Sequence, residues 1–159
     1  MKNRLRFLYL TTTQIDILIR WSKACHPHGI IGKATSILLD NLILYLFGAE
    51  VCSASLEVKK LIVGHSTGVV LGGNGIRCTG TLHISSGVVF ARRYSTPQDQ
   101  SLEDKPFFDI DGDLTVGANS VLLGPLKVKG PVVIGAMSLV THDIDTPGVY
   151  VGIPAKRIN

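Results

Sequence analysis

The chain has 159 residues, which is the length of one domain or at most two. Its charged fraction of 18% lies below the ~25% of an average soluble protein. Its hydrophobic fraction of 45% and mean hydropathy of +0.31 exclude disorder for most of its length. Many glycines (17) and few aromatic residues (6%) indicate a regular architecture that buries small aliphatic side chains.

The charge of the chain is unevenly distributed. Residues 1–48 carry six Lys/Arg against two Asp, whereas residues 49–159 carry ten basic and ten acidic residues. Fourteen of the glycines also follow residue 48. We therefore predict a helical segment over residues 1–48 and a domain of different architecture over 49–159. Nucleic-acid binding is not expected, because no strip of basic and aromatic residues runs along the second segment.

The cysteines and the N-terminus indicate a cytoplasmic protein. Cys25, Cys52 and Cys78 are odd in number and have no paired spacing, so we expect buried thiols rather than a disulfide framework. The basic N-terminus lacks an uninterrupted apolar core and a small-residue cleavage site, so no signal peptide is expected. No stretch of ~18 apolar residues is free of charge, and a transmembrane helix is not predicted.

Two helices are predicted in the first segment, over residues 13–25 and 35–47. Thr13 to Asp16 has the form of a capping box, His26 to Gly29 reads as a turn, and Gly48 is suited to cap the second helix. Because the second helix is so apolar, we expect it to pack on its own subunit or on a neighbour. The alternative is that residues 1–48 rest on an anionic membrane surface.

A six-residue period dominates the second segment. A single inward aliphatic residue in each six-residue unit is the signature of the hexapeptide β-helix, in which each unit forms one flat side of a coil. The period is unbroken over Ile110, Val116, Leu122, Val128, Ile134 and Val140. It also appears in Cys78, Ile84 and Phe90, and in Val51, Glu57, Val63 and Val69, where Glu57 breaks the rule.

Two interruptions of the period are expected to leave the coils. Gly72 to Gly75 reads as a turn or bulge. Residues 91–109 are longer, polar and charged, and they predict an extended loop of the kind that is usually functional.

Three motifs then bring a resemblance to a known family. Gly48-Ala-Glu-Val-Cys, His65-Ser-Thr-Gly-Val-Val and Gly152-Ile-Pro-Ala-Lys-Arg-Ile resemble the serine O-acetyltransferase branch of the hexapeptide acyltransferases. The resemblance covers about residues 48–159. It implies a mainly β fold, a left-handed parallel β-helix of three-sided coils. It also implies a homotrimer with active sites between subunits, and acetyl-CoA as the acetyl donor.

The resemblance assigns the catalytic pair. Acetyl transfer to a hydroxyl needs a base that removes its proton, and histidine suits this role near neutral pH. A carboxylate on the other imidazole nitrogen fixes the tautomer and stabilises the imidazolium. His65 matches the family's catalytic histidine, and Glu50 matches its supporting acid.

The resemblance also assigns residues to CoA and to the oxyanion. Backbone N–H groups usually bind the oxyanion of such a transfer, and the family's Gly-Gly pair at that point is Ala91-Arg92 here. Small residues at tight turns let the pantetheine arm approach, and basic residues meet its phosphates. The candidates are Ala91, Arg92, Ala118, Ala136, Lys156 and Arg157.

The acceptor site departs from the family pattern. Gly64 replaces the Asp before the catalytic histidine, and Pro106-Phe107-Phe108 replaces an Arg-His-Pro stretch. Gly and Phe cannot pair with the charges of an amino acid, whose desolvation would stay uncompensated. We therefore expect a carbohydrate acceptor, with Gly64 and Phe107 at its site and Phe107 suited to stack on a sugar ring.

The predicted function is an acetyl-CoA-dependent O-acetyltransferase acting on a hydroxyl of a sugar or surface-polysaccharide precursor, by direct transfer. The alternatives are a serine O-acetyltransferase and a non-catalytic β-helix scaffold. A zinc enzyme on the same fold would need three histidines from adjacent coils. His65 and His83 are one nominal coil apart, but the insertion at Gly72 disturbs their stacking, so no metal is expected.

Overall fold

The computed structural model describes the backbone of residues 2–72, 75–93 and 107–158, and the side chains of these ranges from Thr13 onward. Two helices precede a stack of short strands. Most of the predicted loop at 91–109, and part of the predicted turn at Gly72 to Gly75, lie outside the described residues. The ends of the loop segment are strand, since Ala91 and Arg92 belong to one strand and Phe108 opens the next.

The first helix, α1, runs over Lys2–Cys25 and is longer than predicted. Thr13 therefore lies inside the helix, and the prediction of a capping box there is wrong. The second helix, α2, runs over Gly29–Phe47 and begins six residues earlier than predicted. Its predicted end is confirmed, because Gly48 adopts a left-handed conformation (φ 65°) and donates its N–H to the carbonyl of Leu44.

One row of α2 packs inward, and the rest is exposed. Gly32, Ser36 and Ile43 are buried. Asp40 accepts hydrogen bonds from the hydroxyls of Ser22 on α1 (2.8 Å) and Ser53 of the first coil. Packing within one chain therefore leaves most apolar residues of α2 exposed, and burial against a neighbouring subunit stays an expectation. Against the sequence-based expectation, α2 also has the length and hydropathy of a candidate membrane span.

The described strands form coils with three flat faces. Their bounds are β1 Glu50–Val51, β2 Leu56–Val63, β3 Val70–Leu71, β4 Ile76–Ile84, β5 Val89–Arg92, β6 Phe108–Asp111, β7 Leu114–Val116, β8 Val121–Gly124, β9 Leu126–Lys129, β10 Val132–Ile134, β11 Leu139–Val140, β12 Gly148–Val151 and β13 Lys156–Arg157. The first face contains β1, β3, β5, β8 and β11 in that order. The second face contains the first halves of β2 and β4, together with β6 and β9. The third face contains the second halves of β2 and β4, together with β7, β10, β12 and β13. Stacked strands of successive coils pair in parallel, and among the described strands only β13 runs antiparallel to its neighbour.

The inward residues of the coils form the core, as the six-residue period predicts. The whole series from Ile110 to Val140 is buried, as are Cys78, Ile84 and Phe90. The break at Glu57 has a simple cause. A short 3₁₀ helix at Ser53–Ser55 shifts the phase, so that Leu56 points inward and Glu57 is exposed.

The three cysteines are free thiols, as expected. Cys78 is the buried one, and desolvation raises the pKa of its thiol, with a smaller contribution from the carboxylate of Asp113. Cys25 and Cys52 are partly exposed, so the expectation of buried thiols is wrong for these two.

Candidate active site

The candidate site lies where the third face turns into the first, an edge that we call the His65 corner. Four coils contribute the segments 64–69, 85–88, 117–120 and 135–138. Strand pairing aligns Val63 with Ile84 before the turn and Val70 with Val89 after it. The first segment is therefore two residues longer than the others, and these two extra residues are His65 and Ser66. The expansion projects His65 from an otherwise uniform corner.

The expansion is fastened to the end of α2. The Ser66 hydroxyl donates a hydrogen bond of 2.7 Å to the carbonyl of Phe47, the last residue of that helix. The N–H of Gly68 donates to the carbonyl of Gly48, at 2.9 Å. Gly68 itself has a φ of 72° and lies against the backbone of Gly87, which favours glycine at both places. Sequence reasoning missed Ser66, for which only its place beside the histidine was a signal.

His65 and Glu50 are both exposed. Glu50 opens β1 on the first face, where it pairs with Val70, just past the His65 corner. Among the described residues of one chain, neither the Glu50 carboxylate nor the His65 ring makes a hydrogen bond or ion pair. The imidazole is therefore open to a ligand or to a neighbouring subunit, and the role of Glu50 stays a prediction.

Gly64 lies within contact distance of a second histidine. A Cβ at Gly64 would lie 3.6 Å from Nε2 of His83 and 3.6 Å from the carbonyl oxygen of Ile84. His83 is half-buried on the outer side of the third face, between Ile62 and Thr115. From the sequence, His83 stands out only as a possible zinc ligand. The structure places it next to the position where the family has a carboxylate.

Ala118 and Ala136 lie on the same corner, on later coils. The N–H of Met137 donates to the carbonyl of Ala118 (2.8 Å), so the two turns are stacked directly. Below them, the buried Ser120 hydroxyl donates to the carbonyl of Gly135 at 2.8 Å. Ala118 is half-buried and Ala136 is exposed. At these two positions the corner therefore offers only backbone and methyl groups.

Lys156 and Arg157 are exposed at the far end of the stack. Lys156 pairs with Val151, and Val151 borders Gly135, since a Cβ at Gly135 would lie 2.6 Å from Cγ1 of Val151. Nε of Arg157 donates to the carbonyl of Pro147 at 3.1 Å. Four successive strand pairings lead along this corner from Val63 to Tyr150. With ~4.8 Å between paired strands, the corner is about 19 Å long over this stretch. The corner thus carries a histidine at one end and cations near the other.

Ala91, Arg92 and Phe107 lie elsewhere in the single chain. They are at the opposite edge of the first face, where β5 ends and the segment leading to β6 begins. The guanidinium of Arg92 covers the Phe107 ring, 5.3 Å from its centroid. Phe107 is only 5% exposed and packs edge-on against Phe108. Phe107 is therefore a core residue, and the expectation that it offers an open ring to a sugar is wrong.

No group of three metal-ligating side chains occurs among the residues that the structure describes. His65 and His83 are brought near each other through Gly64, but no third histidine, cysteine or carboxylate joins them. The chemistry available at the His65 corner is thus that of a histidine base, backbone amides and lysine or arginine cations.

Comparisons with known proteins agree with this architecture. No protein-family model matches the chain. A serine acetyltransferase of Buchnera aphidicola is 26% identical over 127 residues, which are 80% of this chain and 44% of that protein. The chain spans about half the length of the curated relatives it matches.

Solved structures match the chain over nearly its whole length. A hexapeptide-repeat serine O-acetyltransferase of Brucella melitensis has a TM-score of 0.74 and 21% identity over 95% of this chain and 56% of its own. A serine acetyltransferase of Brucella abortus in complex with coenzyme A has a TM-score of 0.78 and 19% identity over 95% and 57%. The chain therefore has the fold of the hexapeptide-repeat transferases, preceded by two helices.

Proposed function

We propose that this chain is an acetyl-CoA-dependent O-acetyltransferase with His65 as the general base. The observation that carries the proposal is the two-residue expansion of the corner, which presents an unpartnered imidazole to solvent. His65 would take the proton of an acceptor hydroxyl as its oxygen attacks the thioester carbonyl. The tetrahedral intermediate would then collapse with loss of the CoA thiolate. The relatives named serine acetyltransferases support the same chemistry.

The part of the His65 corner formed by the later coils is the proposed binding site of acetyl-CoA. Ala118 and Ala136 leave room for the extended pantetheine arm along the stacked turns. Lys156 and Arg157 would meet its phosphates at the far end. A long, thin ligand suits a strip of about 19 Å that runs over four strand spacings. The likeness to a serine acetyltransferase solved with coenzyme A supports this ligand.

Ala91 and Arg92 lie outside this strip in the single chain, so a role for them requires a neighbouring subunit. We propose a homotrimer of left-handed β-helices, in which the corner of one copy faces the first face of the next. Glu50, Ala91 and Arg92 would then complete a site between subunits. The apolar outer sides of the first and third faces support such contacts.

Two acceptors are candidates, and both offer a hydroxyl. Serine is favoured by the names of the relatives. A sugar hydroxyl is favoured by Gly64, which lacks the carboxylate that would pair with an ammonium group, although burial of Phe107 removes the stacking argument. A ligand that carries a hydroxyl but no ammonium group would not need that carboxylate. A surface-polysaccharide precursor remains one such class, and the reaction would be cytoplasmic.

The proposal is tested by the release of free CoA from acetyl-CoA across a panel of serine, nucleotide sugars, galactosides and oligosaccharides. We expect release with one class, and His65→Ala should reduce kcat by about 10²–10⁴-fold, with the mass and thermal midpoint unchanged. Glu50→Gln should lower kcat less. Release with serine alone would exclude the sugar acceptor. Release with none of them would leave a non-catalytic scaffold, and full turnover in His65→Ala would exclude His65 as the base.

A further inference from the structure

The outer face of α2 is a large apolar surface that no described part of the chain covers. Eight large apolar side chains of the helix are exposed, and Ile30, Ile31 and Tyr45 keep more than 80% of their surface. Lys33 and Asn41 are the only polar residues among its exposed positions. Soluble monomers rarely show an apolar patch of this extent, so a partner is expected to cover it. The outer face consists of Ile30, Ile31, Ile37, Leu38, Leu42, Leu44, Tyr45 and Leu46.

Basic residues outnumber acidic ones at the exposed positions of the two helices and of the strand β2 that packs against α1. Lys23, Lys33, Lys59 and Lys60 are exposed there, against the single exposed carboxylate of Glu57. The acidic residues of the helical segment are both engaged. Asp16 forms an ion pair with Arg20 at 2.8 Å, and Asp40 accepts hydrogen bonds from serine hydroxyls inside the segment.

The helix lies along the molecule rather than projecting from it. Asp40 ties its inner row to α1 and to the first coil, through Ser22 and Ser53. Its C-terminal carbonyl at Phe47 accepts a hydrogen bond from Ser66 of the His65 corner. An apolar helix held in this way can lie in the plane of a membrane interface, with its outer face among the lipid chains.

Aromatic and basic side chains complete the pattern of an interfacial surface. Trp21 on α1 is 62% exposed and Tyr45 on α2 is 85% exposed. Such rings place an apolar body and a polar group at the headgroup level of a bilayer. Lysines beside them are attracted to anionic lipids.

We propose that the outer face of α2 is a docking surface for an anionic lipid membrane. The charge of the segment favours lipid over a second copy of the chain. Residues 1–48 carry a net charge of +4, so pairing two such segments would bring like charges together, whereas an anionic surface compensates them. This proposal does not depend on the acetyltransferase reaction.

The test is co-flotation of the full chain with vesicles of phosphatidylcholine containing about one third phosphatidylglycerol, against phosphatidylcholine alone. We expect binding to the anionic vesicles, weakened between ~0.1 M and ~1 M salt as the Debye length falls from ~10 Å to ~3 Å. Leu38→Glu, at a position 68% exposed, should reduce the bound fraction roughly tenfold. Thr146→Glu, which adds the same charge to an exposed turn of the last coil, should bind as the parent does.

Two results would overturn the proposal. One is the absence of flotation with the anionic vesicles. The other is a change in oligomeric mass caused by Leu38→Glu in lipid-free solution, because it would identify a second copy of the chain as the cover. CoA release in solution, with an acceptor found active for the parent protein, should be the same in Leu38→Glu and the parent, so a docking defect is separable from a catalytic one.

Discussion

Ser66 anchors the loop that carries His65. The two-residue expansion has no strand partner of its own, since Val63 and Val70 are the nearest paired residues on either side. The hydrogen bond from the Ser66 hydroxyl to the carbonyl of Phe47 therefore anchors this loop to the end of α2. A base must stand within hydrogen-bonding reach of the proton that it removes, and small displacements of such a group are costly.

Replacing Ser66 by Ala should lower kcat/KM by between about 10- and 100-fold, because the expansion loses its anchor. The unfolding free energy should fall by only about 1 kcal/mol, the usual worth of one hydrogen bond. Steady-state kinetics and urea unfolding measure the two effects. Ser86→Ala is the matched control, since in the described structure the Ser86 hydroxyl, at the same corner of the next coil, makes no hydrogen bond. Equal kinetic losses in the two variants would contradict the anchoring role.

At this scale the sequence indicates which residue is the candidate base but not how its loop is held. His65 is identifiable because its neighbours resemble a motif. Ser66, by contrast, acts through a helix end that is nineteen residues earlier in the chain. The burial of Phe107 was equally hidden, because an aromatic residue at the edge of a long polar segment can point to solvent or into the core. Its contact with Arg92 joins residues that are far apart in the sequence, at the edge where β5 ends.

The corners are the elements that limit how regular the coils can be. The equivalent turn position of four successive coils is left-handed, and it is occupied by Gly68, Gly87, Asn119 and Met137. Glycine and asparagine adopt this conformation readily, whereas other residues incur a cost of about 1–2 kcal/mol. Met137 has a φ of 56°, and its side chain is 68% exposed and packs against little.

Met137→Gly should therefore stabilise the fold by about 0.5–1 kcal/mol, since relief of the left-handed strain exceeds the entropy cost of a new glycine. The measurement is the free energy of unfolding in urea together with the thermal midpoint. Asn119→Gly should give a smaller gain, because asparagine tolerates the same φ (57°). A larger gain at Asn119 than at Met137 would mean that contacts rather than backbone strain decide these positions.

Strands and helices differ in how well the sequence predicts them. The inward aliphatic residues repeat every six positions because each face of a coil needs one, so the series from Ile110 to Val140 is visible without a structure. The period does not reveal the 3₁₀ turn at Ser53–Ser55, which shifts the phase by one residue at Leu56. The start of α2 was missed for a similar reason, since Gly29 and Gly32 argue against a helix locally. Gly32 is required by packing, because a Cβ there would lie 2.1 Å from the carbonyl oxygen of Cys25.

The whole molecule has one charged side and two apolar ones. The second face carries alternating charges across neighbouring strands, and Nε of Arg77 lies 3.0 Å from the Asp109 carboxylate. The outer side of the first face instead carries Glu50 on β1, followed in register by Val70, Val89, Val121 and Leu139. The outer side of the third face carries Ile62, His83, Thr115, Val133 and Val149.

These two apolar faces meet at the His65 corner, and they are different surfaces. A contact between the first face of one copy and the third face of the next is heterologous, and such contacts form a ring when the rotation between copies closes. A ring of three would bury both apolar faces of every copy and leave the charged second face in water. It would also enclose each His65 corner between two chains, which accounts for the exposure of His65 and Glu50 in one chain.

A charge within the third face should therefore separate the proposed trimer. Val133 is 42% exposed and lies between Thr115 and Val149, so Val133→Asp would place an unpaired carboxylate in the contact. Light scattering after size exclusion should give three times the chain mass of 17.1 kDa for the parent and a concentration-dependent loss of mass for the variant. Thr146→Asp, in an exposed turn, should keep the parent mass, and CoA release should fall with dissociation in Val133→Asp alone. A parent protein with the mass of one chain, or full turnover in dissociated Val133→Asp, would mean that the site is complete within a single subunit.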